Sequence, residues 1–282
     1  LALTAAAARV RPTRALIVDH GLQVGSADVA AVARRQAIEL GCIDAQVLPV
    51  TVGTEGGPEA AARVARYAAL EQARDGAPVL IGHTLDDQAE TVLLGLGRGS
   101  GPRSIAGIRA HDPPWCRPLL AVRRRTTEAA CAQLELTPWH DPHNADPRFT
   151  RARLRNEALP LLEDILGGGV AAALARTAAA LQEDNDVLDA LADDALQGAS
   201  SAQGLSVAVL EALPDALRRR VIRLWLLAGG ALELTDKHIR AVDALVIVWR
   251  GQGAVAVPSA LRGERLFAGR EQGLLRLHSE PV

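Results

Sequence analysis

Short apolar runs alternate with longer amphipathic stretches through the first third of the chain, and this alternation restricts the fold more than any other feature. Ala15-Leu16-Ile17-Val18 is an apolar run ending at Asp19-His20-Gly21, and Ser26 can cap a helix running to about Leu40. Gln46 to Val52 alternates as a strand, Pro58 opens a helix to about Arg74, and Pro78-Val79-Leu80-Ile81 closes the series. Leu1 to Val10 reads as a short helix before the first strand. Apolar, branched runs this short suit strands covered on both faces. Strands separated by helices of this length imply right-handed βαβ units and a mostly parallel sheet, so the expected class is α/β.

Beyond Pro113-Pro114 the pattern changes. Arg117-Pro118-Leu119-Leu120 leads into a helix from about Thr126 to Leu134, and a loop rich in Pro, Asp and Asn follows from Thr137 to Phe149. From Val170 to about Leu196 the apolar spacing is helical, with Glu183, Asp184 and Asp186 outside it, which predicts a long connecting helix. Gly198 to Gly204 is small and polar and reads as a linker. A separate module then carries amphipathic helices at Leu217–Leu227 and Asp236–Trp249 and short strands at Ala254–Val257, Arg265–Phe267 and Leu274–Leu277. The expected organisation is an α/β domain over 1–165, a connecting helix and linker over 166–200, and a smaller α+β domain over 201–282.

Composition excludes several classes of function. No apolar run approaches the roughly 20 residues of a spanning helix, so no membrane partner is expected. A net charge of −2 argues against a generic nucleic-acid coat and leaves room for local basic patches. Lys237 is the single lysine beside thirty arginines, a bias attributed mostly to genome composition. Cys42, Cys116 and Cys131 are odd in number and scattered, which supports neither a disulfide framework nor a cysteine metal site and fits a reducing cytoplasm. The chain contains no Met, not even an initiator, and is expected to begin inside the natural protein.

The stretch Gly82-His83-Thr84-Leu85-Asp86-Asp87-Gln88-Ala89-Glu90-Thr91 lies where a strand ends and a helix begins. The helix is marked by Ala89, Val92, Leu93 and Leu96 at i, i+3, i+4 and i+7. In open α/β sheets that edge gathers ligands. Asp87 stands three residues after Thr84, a capping-box-like spacing, so it can serve only to satisfy backbone donors, with Glu90 a solvated surface carboxylate. Alternatively Asp87 and Glu90, at i and i+3 on one helical face with His83 a turn before them, hold a magnesium ion or position a nucleotide.

Gly82-His83-x-x-x-Asp87-x-x-Glu90-Thr91 followed by Arg98-Gly99-Ser100-Gly101 resembles the tRNA(Ile)-lysidine synthase family, ATP-pyrophosphatases of the PP-loop class. Val18-Asp19-His20-Gly21-Leu22, Glu59 to Arg63 with Arg66-Tyr67, Arg117 to Leu120, and Asp141-x-x-Asn144-x-Asp146-x-Arg148-Phe149-x-Arg151-x-Arg153-x-Arg155 resemble the same family in the same order. The resemblance implies a parallel-sheet PP-loop domain, adenine nucleotide hydrolase-like and Rossmann-like, followed by a smaller α+β domain that binds tRNA. It implies ATP as cosubstrate with Mg²⁺, adenylation of the wobble cytidine of isoleucine tRNA at C2, and displacement of AMP by free L-lysine. Under it Asp87, Glu90 and His83 are the catalytic candidates, with Asp87 also the candidate Mg²⁺ ligand. His20, Arg98 and Gly99 are the nucleotide candidates, and Arg63, Arg66, Arg148, Arg151, Arg153 and Arg155 the tRNA candidates.

Arg148, Arg151, Arg153 and Arg155 have no acidic residue among them and are too dense for a helix stripe, so they read as contacts to tRNA or ATP phosphates, with a loop-to-helix entry of solvated charges as the alternative. Arg218-Arg219-Arg220 with Arg223 resembles the family's accessory tRNA-binding surface, and an ordinary charged helix face explains it equally. The tryptophans read as packing. The family's Ser-Gly-Gly-x-Asp-Ser loop is absent from this sequence and is expected just before Leu1, so the polypeptide as it stands is expected to be poorly active. A homodimer is left open.

Overall fold

The computed structural model describes all residues except Glu55, Gly56, Ser100, Ala260, Leu261, Arg262 and Val282. The chain forms two compact units, one of residues 1–93 with 107–176 and one of 94–106 with 177–282. Ser100, part of the expected glycine-rich segment, lies outside the described residues.

The first unit opens with helix α1 (Ala2–Val10), strand β1 (Arg14–Asp19), helix α2 (Ser26–Glu39), strand β2 (Asp44–Pro49), helix α3 (Pro58–Ala73) and strand β3 (Val79–Leu80). Local chemistry sets these limits. Pro58 stands at the start of α3, where its missing N–H costs nothing. α2 stops at Gly41, whose φ of 98° suits glycine, and the Cys42 N–H closes back on the Ala37 carbonyl at 3.1 Å. β1 and β2 pair in parallel from Arg14↔Asp44 to Asp19↔Pro49. Ala37, Cys42 and Ala45 form the small core beneath them.

Helix α4 (Leu85–Arg98) follows β3 and passes from the first unit into the second after Leu93; short helix α5 (Pro102–Ile105) comes next. Ala89 and Val92 of α4 are buried, whereas Leu96, the last member of the expected stripe, is 52% exposed. Strands β4 (His111–Asp112) and β5 (Trp115–Cys116) complete a sheet of order β3-β5-β4, with β3 and β5 parallel and β4 antiparallel to β5. The parallel pairing that the alternation predicts is present, but in two separate hydrogen-bonded sheets, because β3 contributes only two paired residues. Helix α6 (Arg124–Gln133) is followed by a loop containing one 3₁₀ turn, helix α7 (Thr150–Arg153), a π-helical turn (Leu154–Ala158) and helix α8 (Leu159–Ile165).

Helix α9 (Val170–Ala199) leads into the second unit. Where a linker is expected over Gly198–Gly204, the helix continues to Ala199 and a hairpin of β6 (Ser200–Ser201) and β7 (Gly204–Ser206) follows. Helices α10 (Val207–Glu211), α11 (Asp215–Ala228) and α12 (Asp236–Ile247) precede strands β8 (Val255–Val257), β9 (Glu264–Glu271) and β10 (Leu274–Pro281). The antiparallel sheet has the order β6-β7-β10-β9-β8. Its core is apolar and tight: Leu205, Leu210, Val221, Ile222, Leu226, Val242, Leu245 and Leu275 are all at most 1% exposed. Thr235 and His238 form a reciprocal cap at the start of α12. No single described helix is long and apolar enough to cross a membrane; Thr150–Ile165 with Val170–Ala199 pass together by length and composition, as a pair bent by 96°.

Candidate active site

β1 and β3 each end at a histidine whose Nδ1 is buried and lacks a hydrogen-bond partner: His20 after β1 and His83 after β3. Burial removes proton affinity from both rings. It is the largest reason that His83 falls to a pKa of about 4; Arg117, Arg63 and Arg66 act in the same direction and Asp87 opposes them. His20 is lowered by burial and by Arg66, against Asp19. Both imidazoles are therefore neutral at pH 7. Arg66 is itself held below its usual range by burial. Arg63 lies over the Tyr67 ring at 4.8 Å, and Tyr67 meets Trp115 edge-on at a centroid distance of 4.6 Å, a packing role for that tryptophan. His20, Arg63, Arg66 and His83 thus occupy one region at the carboxyl ends of the strands.

Asp87 does cap its helix. The backbone N–H and the hydroxyl of Thr84 both donate to Asp87 Oδ2 at 2.7 Å. Its other oxygen, Oδ1, accepts from Arg124 at 2.8 Å and lies 3.5 Å from Arg155. Burial works to raise the Asp87 pKa, but Arg124, the two Thr84 hydrogen bonds and His83 outweigh it and hold the carboxyl below its ordinary value. Asp86 points elsewhere: it pairs with Arg123 at 3.0 Å and accepts the Arg124 backbone N–H at 2.7 Å, capping α6.

Glu90 is no surface carboxylate; it has no exposed area. Arg155 holds it with two hydrogen bonds, Nε to Oε1 at 2.8 Å and Nη2 to Oε2 at 3.1 Å. Arg124 stands 3.6 Å from Oε1 and Arg151 3.8 Å from Oε2. Arg151 also pairs with Glu59 of α3 at 3.1 Å, and Asn144 accepts from Arg155 at 3.4 Å.

Arg151, Arg153 and Arg155 lie in helical turns with Arg148 just before them, and the turns sort them by face. Arg151 and Arg155, one turn apart, turn toward Glu90. Arg153 points outward to Glu157, and Arg148 pairs with Asp146; their side chains are 61% and 82% exposed. These two border an open cleft of about 340 Å³. Arg98 is the last residue of α4 and Gly99 follows it with a φ of 60°, both in the second unit. In that unit Arg218 is buried and bonded to Asp243 at 2.6 Å, and Arg220 to Asp189 and Asn185, each at 2.6 Å, so this arginine run is neither a solvated face nor wholly free for a ligand. Among the described residues no three His, Cys, Asp or Glu side chains are grouped to hold a metal ion. Asp87, the candidate Mg²⁺ ligand, is engaged through both oxygens as described.

Residues 1–162 match a family model described as a PP-loop domain, and residues 205–275 one described as a TilS substrate binding domain. The chain is 70% identical over 286 residues to the tRNA(Ile)-lysidine synthase of Mycobacterium bovis, covering 100% of this chain and 88% of that protein. It is 71% identical over 282 residues to that of Mycolicibacterium paratuberculosis, with the same coverage. The chain belongs to the tRNA(Ile)-lysidine synthase family. A more distant member, from Nocardia farcinica, is 61% identical over 281 residues, 99% of this chain and 88% of that one. Among solved structures, a U34-tRNA thiolase from Methanococcus maripaludis aligns with a TM-score of 0.49 and 19% identity over 61% of this chain and 63% of that one, too distant to bear on the reaction.

Sequence reasoning missed Arg124, which touches both carboxylates of this family member's central motif. A signal was present. Arg123-Arg124-Arg125 crowd the amino end of α6, where positive charge opposes the helix dipole, so a partner outside the helix was needed to stabilise them. Asp86 and Asp87 are that partner.

Proposed function

We propose that this protein forms lysidine at the wobble cytidine of isoleucine tRNA, consuming ATP and free L-lysine, in the cytoplasm. The observation that carries the reading is the carboxylate pair of half-buried Asp87 and fully buried Glu90, set beside neutral His83 at the carboxyl edge of a PP-loop domain. Full-length similarity to tRNA(Ile)-lysidine synthases supplies the reaction.

The cytidine C2 oxygen attacks the α-phosphorus of ATP and pyrophosphate leaves; the lysine ε-amine then attacks C2 and AMP leaves. Asp87 and Glu90 supply the negative charge that receives the lysine ammonium. His83, neutral and with an unpartnered nitrogen, offers a hydrogen-bond partner to the arriving lysine without adding positive charge, and the proton that the ammonium loses passes to water. His20 and Arg66 border the nucleotide. Arg63 contacts the base region, while Arg148 and Arg153 meet tRNA phosphates, which gives affinity without reading sequence. Asp87 would be the ligand to Mg²⁺, which would neutralise triphosphate charge, once Arg124 leaves its Oδ1.

A cytidine thiolase is the alternative of the same class. The three cysteines are free, and Cys42 and Cys131 are buried, which offers no paired thiols for sulfur transfer. With this protein, radiolabelled lysine should enter isoleucine tRNA bearing a CAU anticodon only with ATP and Mg²⁺. Sulfur incorporation without lysine incorporation would refute the assignment.

A further inference from the structure

Three guanidinium groups converge on two carboxylates. Arg155 chelates Glu90, Arg124 reaches both Asp87 at 2.8 Å and Glu90 at 3.6 Å, and Arg151 stands 3.8 Å from Glu90. A lysine ammonium arriving from solution therefore meets carboxylates that already carry cations, one of them with no exposed surface. Exchanging a two-pronged guanidinium for a single ammonium offers no gain, because the fork's geometry is lost while the charge stays the same.

The arginines have reason to leave. They outnumber the two carboxylates, and Arg151 already divides itself between Glu90 and Glu59. Arg124 has a buried Nε with no hydrogen-bond partner, a donor that a ligand oxygen can satisfy. Arg155 sits in the π-helical turn, the irregular part of its helix. A triphosphate presents several charged acceptors at once, matched to guanidinium forks.

We propose that Arg124 and Arg155 close the lysine site in the resting protein, and that a nucleotide triphosphate draws them off Asp87 and Glu90, so that nucleotide binding precedes and enables lysine binding. Arg124 is thereby a positioning residue. The inference rests on the lysine reading above. By linkage, nucleotide must tighten lysine and lysine must tighten nucleotide by the same factor.

Equilibrium dialysis of radiolabelled L-lysine against the protein tests this, with four arms: no addition, a non-cleavable α,β-methylene ATP with Mg²⁺, inorganic tripolyphosphate, and isoleucine tRNA without nucleotide. Lysine should bind roughly ten-fold or more tightly with the nucleotide analogue than alone, and tripolyphosphate should give part of the gain. Arg124→Gln should erase the difference by tightening lysine binding in the arm without nucleotide. An arginine that is merely structural would instead weaken it in every arm. Should that variant fail to fold, the arms on the unaltered protein still decide. Equal lysine affinity with and without phosphate, or tightening by tRNA alone, overturns the gate while leaving the lysine site standing. Lysine binding in no arm overturns the gate and the site together.

Discussion

Glu90→Gln probes the ion-paired centre directly. A solvated carboxylate can be neutralised with little effect, but Glu90 has no exposed surface and both its oxygens accept from Arg155, at 2.8 and 3.1 Å. Glutamine keeps one acceptor and turns an amide donor toward a guanidinium donor, so one hydrogen bond and the pair's charge are lost. Breaking one side of a buried pair costs about 3–5 kcal/mol. Asp87 lies 3.5 Å from Arg155 and shares its charge, which places the cost near the lower end, about 3 kcal/mol. At about 2–4 °C per kcal/mol for a unit of this size, the Tm should fall by about 6–12 °C. Thermal melts by circular dichroism read this out. The variant leaves Arg124 and Arg155 facing one carboxylate, Asp87, so tripolyphosphate should raise its Tm by more than it raises that of the parent. A Tm within about 1 °C of the parent would refute the burial and pairing of Glu90.

Gly95→Ala should destabilise the second unit by about 1–3 kcal/mol in urea unfolding, since its Cβ would stand 2.2 Å from the Ser104 carbonyl oxygen and 2.7 Å from its carbon, both backbone. His83 has a folded pKa of about 4 against 6.5 unfolded, so the unfolded state binds more protons between those values. The stability this gives is full above about pH 6.5 and is lost as pH falls toward 4; His83→Gln should show a shallower loss of Tm over that window than the parent. Arg148→Ala and Arg153→Ala, both exposed, should each weaken tRNA binding, lower the salt slope by about 1 and leave the Tm unchanged, whereas Arg155→Ala should lower the Tm. Filter binding across a salt series with parallel melts separates the two kinds of arginine.

The order of elements was legible in the sequence because its causes are local. Pro58 at the start of α3, Gly41 beyond α2 and the apolar stripe of α11 act within a few residues of themselves, and the observed limits of those elements differ from the expected ones by only a residue or two. The motif residues were legible for the same reason: Thr84 and Asp87 make their cap three positions apart. Which arginine does what was not legible. Arg155 reaches Glu90 across 65 positions and Arg124 reaches Asp87 across 37, and no local periodicity carries that information. Arg151 and Arg153 look alike in sequence, yet one faces a buried carboxylate and the other solvent, since a helix turned against its neighbours separates residues two apart. The sequence by itself determined the longer helices, the strands between them and the placing of Asp87 and Glu90 on one helical face. Only the tertiary structure decided that Glu90 is sealed and that Arg124, Arg151 and Arg155 close over it, because burial and charge pairing depend on surfaces that meet after the chain has folded.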